Sequence, residues 1–430
     1  MNMIDIKLLR EESEKVKAGI AAKGVDPEIV DEFLSLDDAW RKATQEVEGL
    51  RGEQKKASEA RDQETGKKLK DAVRILEEKL KTLESERGGI LDRIPNLPFD
   101  DVPRGKSETE NKVLREAGKK REFDFPPQDY LAIAENLDLI DMQKAAEVAG
   151  ARFSYLKGDL VLLEFALVQL ALDTLIPEGF IPVIPPAMIR PEIYRGMGRL
   201  AGDQKEERYY LPKDDLYLVG SSEHTTGPLH MNETFEEKNL PRRYVAFSTC
   251  FRREAGSYGK DTKGILRVHQ FDKVEMYSFT KPEDSEREHA FLLSLQEKLM
   301  GRLGLPYRVL EICTGDMGWT DARQYDLEAW MPGQKTYRET HSCSNTTDFQ
   351  ARGVNVKYRE SEIRNQPARP NPPSGGDGRK PETNFVHALN ATAFAMSRIP
   401  VAIIENYQTK EGNIMVPQAL QKYVGKEIIE

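Results

Sequence analysis

TCFRREAGSYGKDTKGILRVHQFDKVEM, running from Thr249 to Met276, is the stretch that decides how the rest of the chain is read. It opens on Phe251-Arg252-Arg253-Glu254, crosses a Gly- and Lys-rich segment from Gly256 to Gly264, and returns through Ile265, Val268, Phe271, Val274 and Met276. Such a pattern predicts two strands joined by a loop. An arginine at one end can clamp a phosphate with its planar fork, and Phe271 at the other can stack on a base. Taken alone, FRxE favours a plainer reading, because an Arg and a Glu two apart on a strand share a face and can simply pair.

The full string carries more than FRxE. It resembles the second signature motif of class II aminoacyl-tRNA synthetases, an FRxE strand, a loop, then an Arg or His shortly before a Phe. Arg252, Glu254, Arg267 and Phe271 fill those places. The wording from Ala255 to Glu275 is similar to that of the seryl-tRNA synthetases of bacterial type.

Length and charge agree with an enzyme of two domains. The chain has 430 residues, enough for one large core beside a smaller unit. A formal net charge of −9 argues against RNA binding over the whole surface, so any such contact must be local. Cys250, Cys313 and Cys343 show no CxxC spacing and fit buried thiols in a reducing compartment, with no zinc expected. Asp5, Lys7 and Arg10 interrupt the apolar residues of Met1 to Arg10, so neither a signal peptide nor a membrane anchor is expected in that stretch. The apolar run Leu160 to Ile176 is broken by Glu164, Gln169 and Asp173, so it predicts a core helix, not a membrane span.

The first hundred residues read as helices. One is expected from Ile6 to Ala22, stopped near Gly24, and a second opens at Asp26-Pro27. A seam of period 3.5 runs Leu36, Trp40, Ala43, Val47, Leu50, Gln54, Ala57. After Gly66 it resumes at Leu69, Val73, Leu76, Leu80, Leu83, Arg87, Ile90 and Ile94. This predicts an antiparallel two-helix coiled coil over about 28–94, each helix of about 25 residues and roughly 38 Å long, projecting from the body. Positive charge gathers in its distal half, where Arg51, Lys55, Lys56, Lys67, Lys68, Lys70 and Arg74 are candidates for tRNA binding. From charge alone, a solvated face laced with i,i+4 pairs is the commoner explanation.

Pro95 and Pro98 close the rod, giving a domain over residues 1–100, and the polar stretch 101–125 is expected to be a linker. Residues 126–430 then form an α+β domain. Helices are expected at Tyr130–Leu137, Asp141–Val148, Leu160–Leu175 and Ser285–Leu303, and a strand pair around Ala151–Lys157. Further strands are expected at Val309–Cys313, Tyr325–Trp330, Arg338–His341 and through Leu389 into a helix holding Arg398. The Pro- and Gly-rich run Arg369–Pro381 reads as a surface loop.

The resemblance spans Ile4 to the VPQALQKYV at Val416 and implies an antiparallel β-sheet flanked by helices, the class II catalytic body, in a cytoplasmic homodimer. Gly179 to Pro186 is similar to the first class II motif, ending in a dimer-interface proline, and Asn384 to Val416 to the third. It implies that Arg252 and Arg398 are the catalytic arginines. Arg252, Arg253, Glu254, Arg267, Phe271, Glu339, Thr340, His341, Ser342 and Arg398 would bind ATP, with Glu339 and Ser342 holding Mg2+. L-Serine would be held by Ser221, Ser222, Glu223, Arg252, Glu275, Asn390 and Thr392. Partners implied are tRNA(Ser) and, where it exists, tRNA(Sec). Departures from the pattern are Ser221 in a usual Thr place, His224 and His341 where apolar or small residues are common, and Ala391, Ala393 and Phe394 where many relatives carry Gly. Two rival functions are a non-catalytic, synthetase-derived binding protein, which would have lost the arginine pair or the acids, and a ligase charging a carrier protein, which would lack the basic-tipped arm.

Overall fold

The computed structural model describes residues 3–255, 261, 263–360 and 383–430; the Arg369–Pro381 loop and most of Gly256–Gly264 lie outside the described residues. Two compact units divide the chain, Met1–Leu97 and Pro98–Glu430.

Helices alone build the first unit. Where one helix was expected there are two, α1 (Ile6–Glu11) and α2 (Ser13–Ala22), because Glu12 leaves helical geometry at φ −128°, ψ 38°. The long helices α3 (Glu28–Glu59) and α4 (Gln63–Leu91) contain 32 and 29 residues. At 1.5 Å per residue they are about 48 and 44 Å long, more than the sequence estimate. Between them Arg61 turns the chain at φ 57°. The Asp62 side chain accepts from the Thr65 amide at 3.1 Å, so α4 starts before Gly66, which falls inside it. All positions of the predicted seam are buried or half-buried.

One seam position is charged. Arg87 is 7% exposed, donates to Asp37 Oδ1 at 2.6 Å, and lies 4.4 Å from the Trp40 ring centroid. Arg10 grips the same carboxylate from α1 with bonds of 2.8 and 2.9 Å. Burial alone would raise the Asp37 carboxyl, but the Arg10 bond and the charges of Arg87 and Arg10 outweigh it and hold it below its ordinary value.

In the second unit, eight strands make one sheet: β1 (Lys112–Ala117), β2 (Phe180–Val183), β3 (Arg242–Phe251), β4 (Gln270–Thr280), β5 (Tyr307–Glu311), β6 (Arg323–Met331), β7 (Thr336–Asn345) and β8 (His387–Ala395). Their order is β1-β5-β6-β7-β8-β4-β3-β2, antiparallel throughout except for the parallel edge pair β2 and β3. β1 lies in the stretch expected to be a linker. It is an edge strand, exposed except at Ala117, so it lacks the alternating burial that betrays a strand in sequence. The strand pair expected at 151–157 is instead a single short strand, Tyr155–Leu156, paired with Ile140–Asp141.

Helices α5 (Asp159–Leu175), α6 (Ser285–Leu303), α7 (Ile399–Asn406) and α8 (Gln418–Val424) share one hydrophobic core with the sheet. By length and composition α5 could cross a membrane, yet Leu160, Leu163, Leu167 and Leu170 are buried in that core. Val274, Met276, Cys343, Leu389, Ala391 and Ala393 join it from the strands. Alternating with them, Lys273, Glu275, Ser342, Ser344, Asn390 and Thr392 point to the opposite face. One face of the sheet is therefore oily and the other polar, and the polar face carries the site.

Replacing Asp37 by Ala leaves Arg87 buried without its counter-charge and is expected to cost the N-terminal unit about 3–5 kcal/mol. The loss should show as an earlier urea transition of the helical far-UV signal. Because the folded carboxyl sits below its unfolded value, the wild-type contribution is complete above the ordinary aspartate range and fades as pH falls through the folded value. An unmoved transition at neutral pH would remove the pair from the account.

Candidate active site

The hairpin that opened the sequence reading forms the middle of the site. Strand register pairs Phe251 with Gln270 and Cys250 with Phe271, so Arg252–Glu254 and Ile265–His269 extend beyond the ladder. They are nonetheless tied down. Arg252 N donates to His269 O at 3.0 Å, Phe251 N to Val219 O at 2.8 Å, and Ile265 N to the Tyr130 hydroxyl at 2.9 Å. Glu254 adopts φ 53°, uncommon for a residue with a side chain, and its carboxylate meets Arg267 Nη1 at 2.6 Å. Arg252 does not pair with Glu254. Its Nε donates to Gly220 O at 3.1 Å and its guanidinium lies 5.3 Å from the Phe271 ring centroid.

These residues open on a cavity of about 550 Å³ whose walls include Ser221, Glu223, Arg252, Glu254, Arg267, Glu339, Ser342, Asn390 and Arg398. A smaller adjoining space of about 90 Å³ adds Phe271, Thr340 and Thr392. Arg398, immediately before α7, places Nη1 2.7 Å from Glu339 Oε1. Burial would raise the Glu339 carboxyl, but the charge and hydrogen bond of Arg398 keep it low. The neighbouring Asp326 carboxyl is driven well up, by burial first and then by the Glu339 charge. An all-oxygen donor set, Glu339 and Ser342 with a second carboxylate close by, fits a hard divalent cation.

The other end of the cavity is small and polar. Glu223 is buried in an ion pair with Arg199; burial would raise its carboxyl, but Arg199 and His224 hold it far below the usual range. Burial pushes His224 down to about 3, so it is neutral, with Nδ1 3.0 Å from the Tyr194 hydroxyl. Lys273, on the cavity wall, sets its Nζ 2.5 Å from Glu275 Oε2 and 3.4 Å from Ser221 Oγ. Glu275 is wholly buried, and among the described residues neither carboxylate oxygen has a hydrogen bond of good geometry. Burial raises its carboxyl to about 7, against the pull of Lys273.

Three side chains expected in the site lie elsewhere. Arg253 is exposed, 5.8 Å from the Tyr209 ring centroid. Ser222 is buried, its hydroxyl 3.4 Å from Ala246 O. His341 sits on the oily face, Nε2 3.0 Å from Ala393 O and Nδ1 2.8 Å from Thr340 Oγ1, and burial drives it to about 3. Strand alternation explains His341, since Ser342 takes the cavity side and its neighbour must point away. Sequence reading missed Lys273, Arg199 and Arg208. Lys273 could have been found, standing two residues before Glu275 on one strand; the arginines precede the LVGSSE loop in a segment with no periodic signal.

On the N-terminal unit Arg51, Lys55, Lys56, Lys67, Lys68, Lys70 and Arg74 are all exposed. Arg51 pairs with Glu77 across the two helices at 2.6 Å, and Lys68 with Glu64 at 2.8 Å, so local pairing uses part of this charge.

Comparison with known proteins agrees across both units. The family model for the seryl-tRNA synthetase N-terminal domain matches residues 3–98, and that for the tRNA synthetase class II core domain (G, H, P, S and T) matches 208–368. The chain is 43% identical to the serine–tRNA ligase of Acidothermus cellulolyticus over 99% of each chain, and 41% identical to that of Thermobifida fusca, again over 99% of each. Among solved structures, seryl-tRNA synthetase from Pyrococcus horikoshii complexed with ATP superposes with TM-score 0.89 at 38% identity, covering 99% of both chains. The cytoplasmic serine–tRNA ligase of Naegleria fowleri in complex with AMP gives 0.84 at 33%, covering 99% of this chain and 98% of that one. With its helical arm, its antiparallel sheet and this cavity, the chain belongs to the seryl-tRNA synthetase family of class II aminoacyl-tRNA synthetases.

Proposed function

We propose that the protein activates L-serine with ATP to seryl-adenylate and pyrophosphate, then transfers the seryl group to the 3′ end of tRNA(Ser). The observation that carries this is the convergence of Arg252, Arg267 and Arg398 with Phe271 on connected cavities whose far end holds Ser221, Glu223 and Asn390.

The serine carboxylate is ionised at neutral pH and attacks the α-phosphorus with no need of a side-chain base. The protein's task is positioning and charge neutralisation. Arg252 spans the serine carboxylate and the α-phosphate; Arg267 and Arg398 take the outer phosphates, leaving Glu254 and Glu339 as they do so. Phe271 and Arg398 sandwich the adenine beside Glu254 and Thr340. Glu339 and Ser342 would hold Mg2+, which when bound draws negative charge from the phosphates. Glu223 accepts from the serine ammonium. Glu275, with its oxygens free of well-formed hydrogen bonds, and Thr392 read the hydroxyl. Alanine is then rejected because it would leave Glu275 Oε1, buried and away from the Lys273 ion pair at Oε2, without a donor. In the second step the adenylate's own phosphate oxygen can take the proton from the attacking ribose hydroxyl.

The residues 1–100 serve as the tRNA-binding domain, with the exposed basic residues of α3 and α4 gripping RNA backbone, and 126–430 as the catalytic domain. Charging of tRNA(Sec) follows if that tRNA is present. Uncovered apolar side chains support a homodimer: Leu162, Phe165 and Ile176 on and just after α5, and Ile184, 82% exposed, just beyond edge strand β2.

ATP–pyrophosphate exchange tested with each of the twenty amino acids should respond to serine alone; exchange with glycine or threonine but not serine would overturn the substrate assignment. Deleting Gln54–Leu76 should leave that exchange intact and abolish tRNA charging, whereas equal loss of both would refute the division of labour. Phe165→Glu should halve the mass measured by light scattering, and an unchanged mass in wild type and variant would place the subunit contact elsewhere.

A further inference from the structure

Arg208 has no part in the chemistry above, yet it lines the same cavity. Its Nε is buried and, among the described residues, has no hydrogen-bond partner; the guanidinium lies 5.7 Å from the Tyr194 ring centroid. The group reaches the cavity past Gly220: a Cβ added there would lie 2.7 Å from Arg208 Nη1. On the carbonyl side of that same glycine, Arg252 Nε donates to Gly220 O at 3.1 Å. Two guanidinium groups therefore flank one residue of the LVGSSE loop. The buried carboxylate nearby, Glu223, is ion-paired to Arg199. Burial, with the like charges of Arg252 and Arg199, pushes the Arg208 guanidinium below its usual value. A buried donor without an acceptor, crowded by a second cation, is stabilised when an anion arrives.

We propose that Arg208 is a substrate-contacting residue that shares the carboxylate of the incoming amino acid with Arg252. The anion is assigned to the amino acid and not to the nucleotide, because Arg208 lies among Tyr194, Gly220, Glu223 and His224, whereas the adjoining space beside Phe271 is lined by Arg267 and Arg398 and not by Arg208. Arg252 is then free to turn toward the α-phosphate while Arg208 keeps the carboxylate in line. The inference rests on the amino acid-activating reading of the site, and deepens it by naming a second carboxylate ligand.

Exchange kinetics of the full-length protein test it, with two probes: the amino acid that the wild type activates, and the amide of that amino acid as a competitive inhibitor, which lacks the carboxylate. Arg208→Met should raise KM for the amino acid by about tenfold or more, the loss expected for one charged hydrogen bond, and leave KM for ATP unchanged. Inhibition by the amide should be unaffected. Arg208→Lys should recover part of the loss, and Gly220→Ala, which displaces the guanidinium, should reproduce it. Equal weakening of the acid and the amide would show that Arg208 only shapes the pocket, and a rise in KM for ATP would give it to the nucleotide; either result, or no change at all, overturns the proposal. Because the probes follow whichever amino acid the wild type uses, a wrong substrate assignment and a wrong role for Arg208 give different results.

Discussion

A sheet buried on both faces, one oily and one charged, is the constraint on which the rest of the second unit depends. In β4 the run Lys273-Val274-Glu275-Met276 sends successive side chains to opposite sides, and β7 and β8 do the same with Ser342-Cys343-Ser344 and Asn390-Ala391-Thr392. Ionised groups are costly to hide, and they are tolerated here because nearly every cation has a carboxylate of its own. Arg398 has Glu339, Arg267 has Glu254, Lys273 has Glu275 and Arg199 has Glu223. A shift of one residue in register would carry Lys273 and Glu275 into the core beneath α6, so the apolar half of the pattern fixes the position of the polar half.

That pairing also explains how the cavity can wait for a highly charged ligand. In the proposed reaction triphosphate and carboxylate would replace the carboxylates already facing the arginines, an exchange of one anion for another with little new ordering to be done. The loop residues that deliver the arginines are held by backbone bonds at both ends of the hairpin and by Tyr130 from another segment, so the guanidinium groups keep their places beyond the end of the ladder.

Much of this was legible in the letters. Every position that the 3.5 period picked out, Arg87 included, is buried or half-buried, because a narrow seam leaves little freedom of phase; Phe33 and Asp37, buried on the same helix, were not among them. The hairpin from Thr249 to Met276 was legible because apolar and chemical residues alternate in it. Edge strand β1 was not, since Lys112 to Glu116 are all exposed, Val113 and Leu114 included, and the strand has no buried face to show. The direction of the His341 side chain was not legible, because resemblance supplies neighbours in sequence, whereas a strand sends neighbours to opposite faces. Arg199 and Arg208 come from a segment between short helices and strands, where only the folded chain reveals what is close to Gly220.

In the proposed function the two ends of the cavity take different parts, phosphate and ring at one and a small hydroxylated amino acid at the other, so a single ligand must reach both. A crystal structure with a non-hydrolysable seryl-adenylate analogue measures this directly. The adenine should lie between Phe271 and Arg398, with the seryl hydroxyl within hydrogen-bond distance of Glu275. An analogue bound with its ring away from Phe271, or with its hydroxyl turned from Glu275, would contradict it.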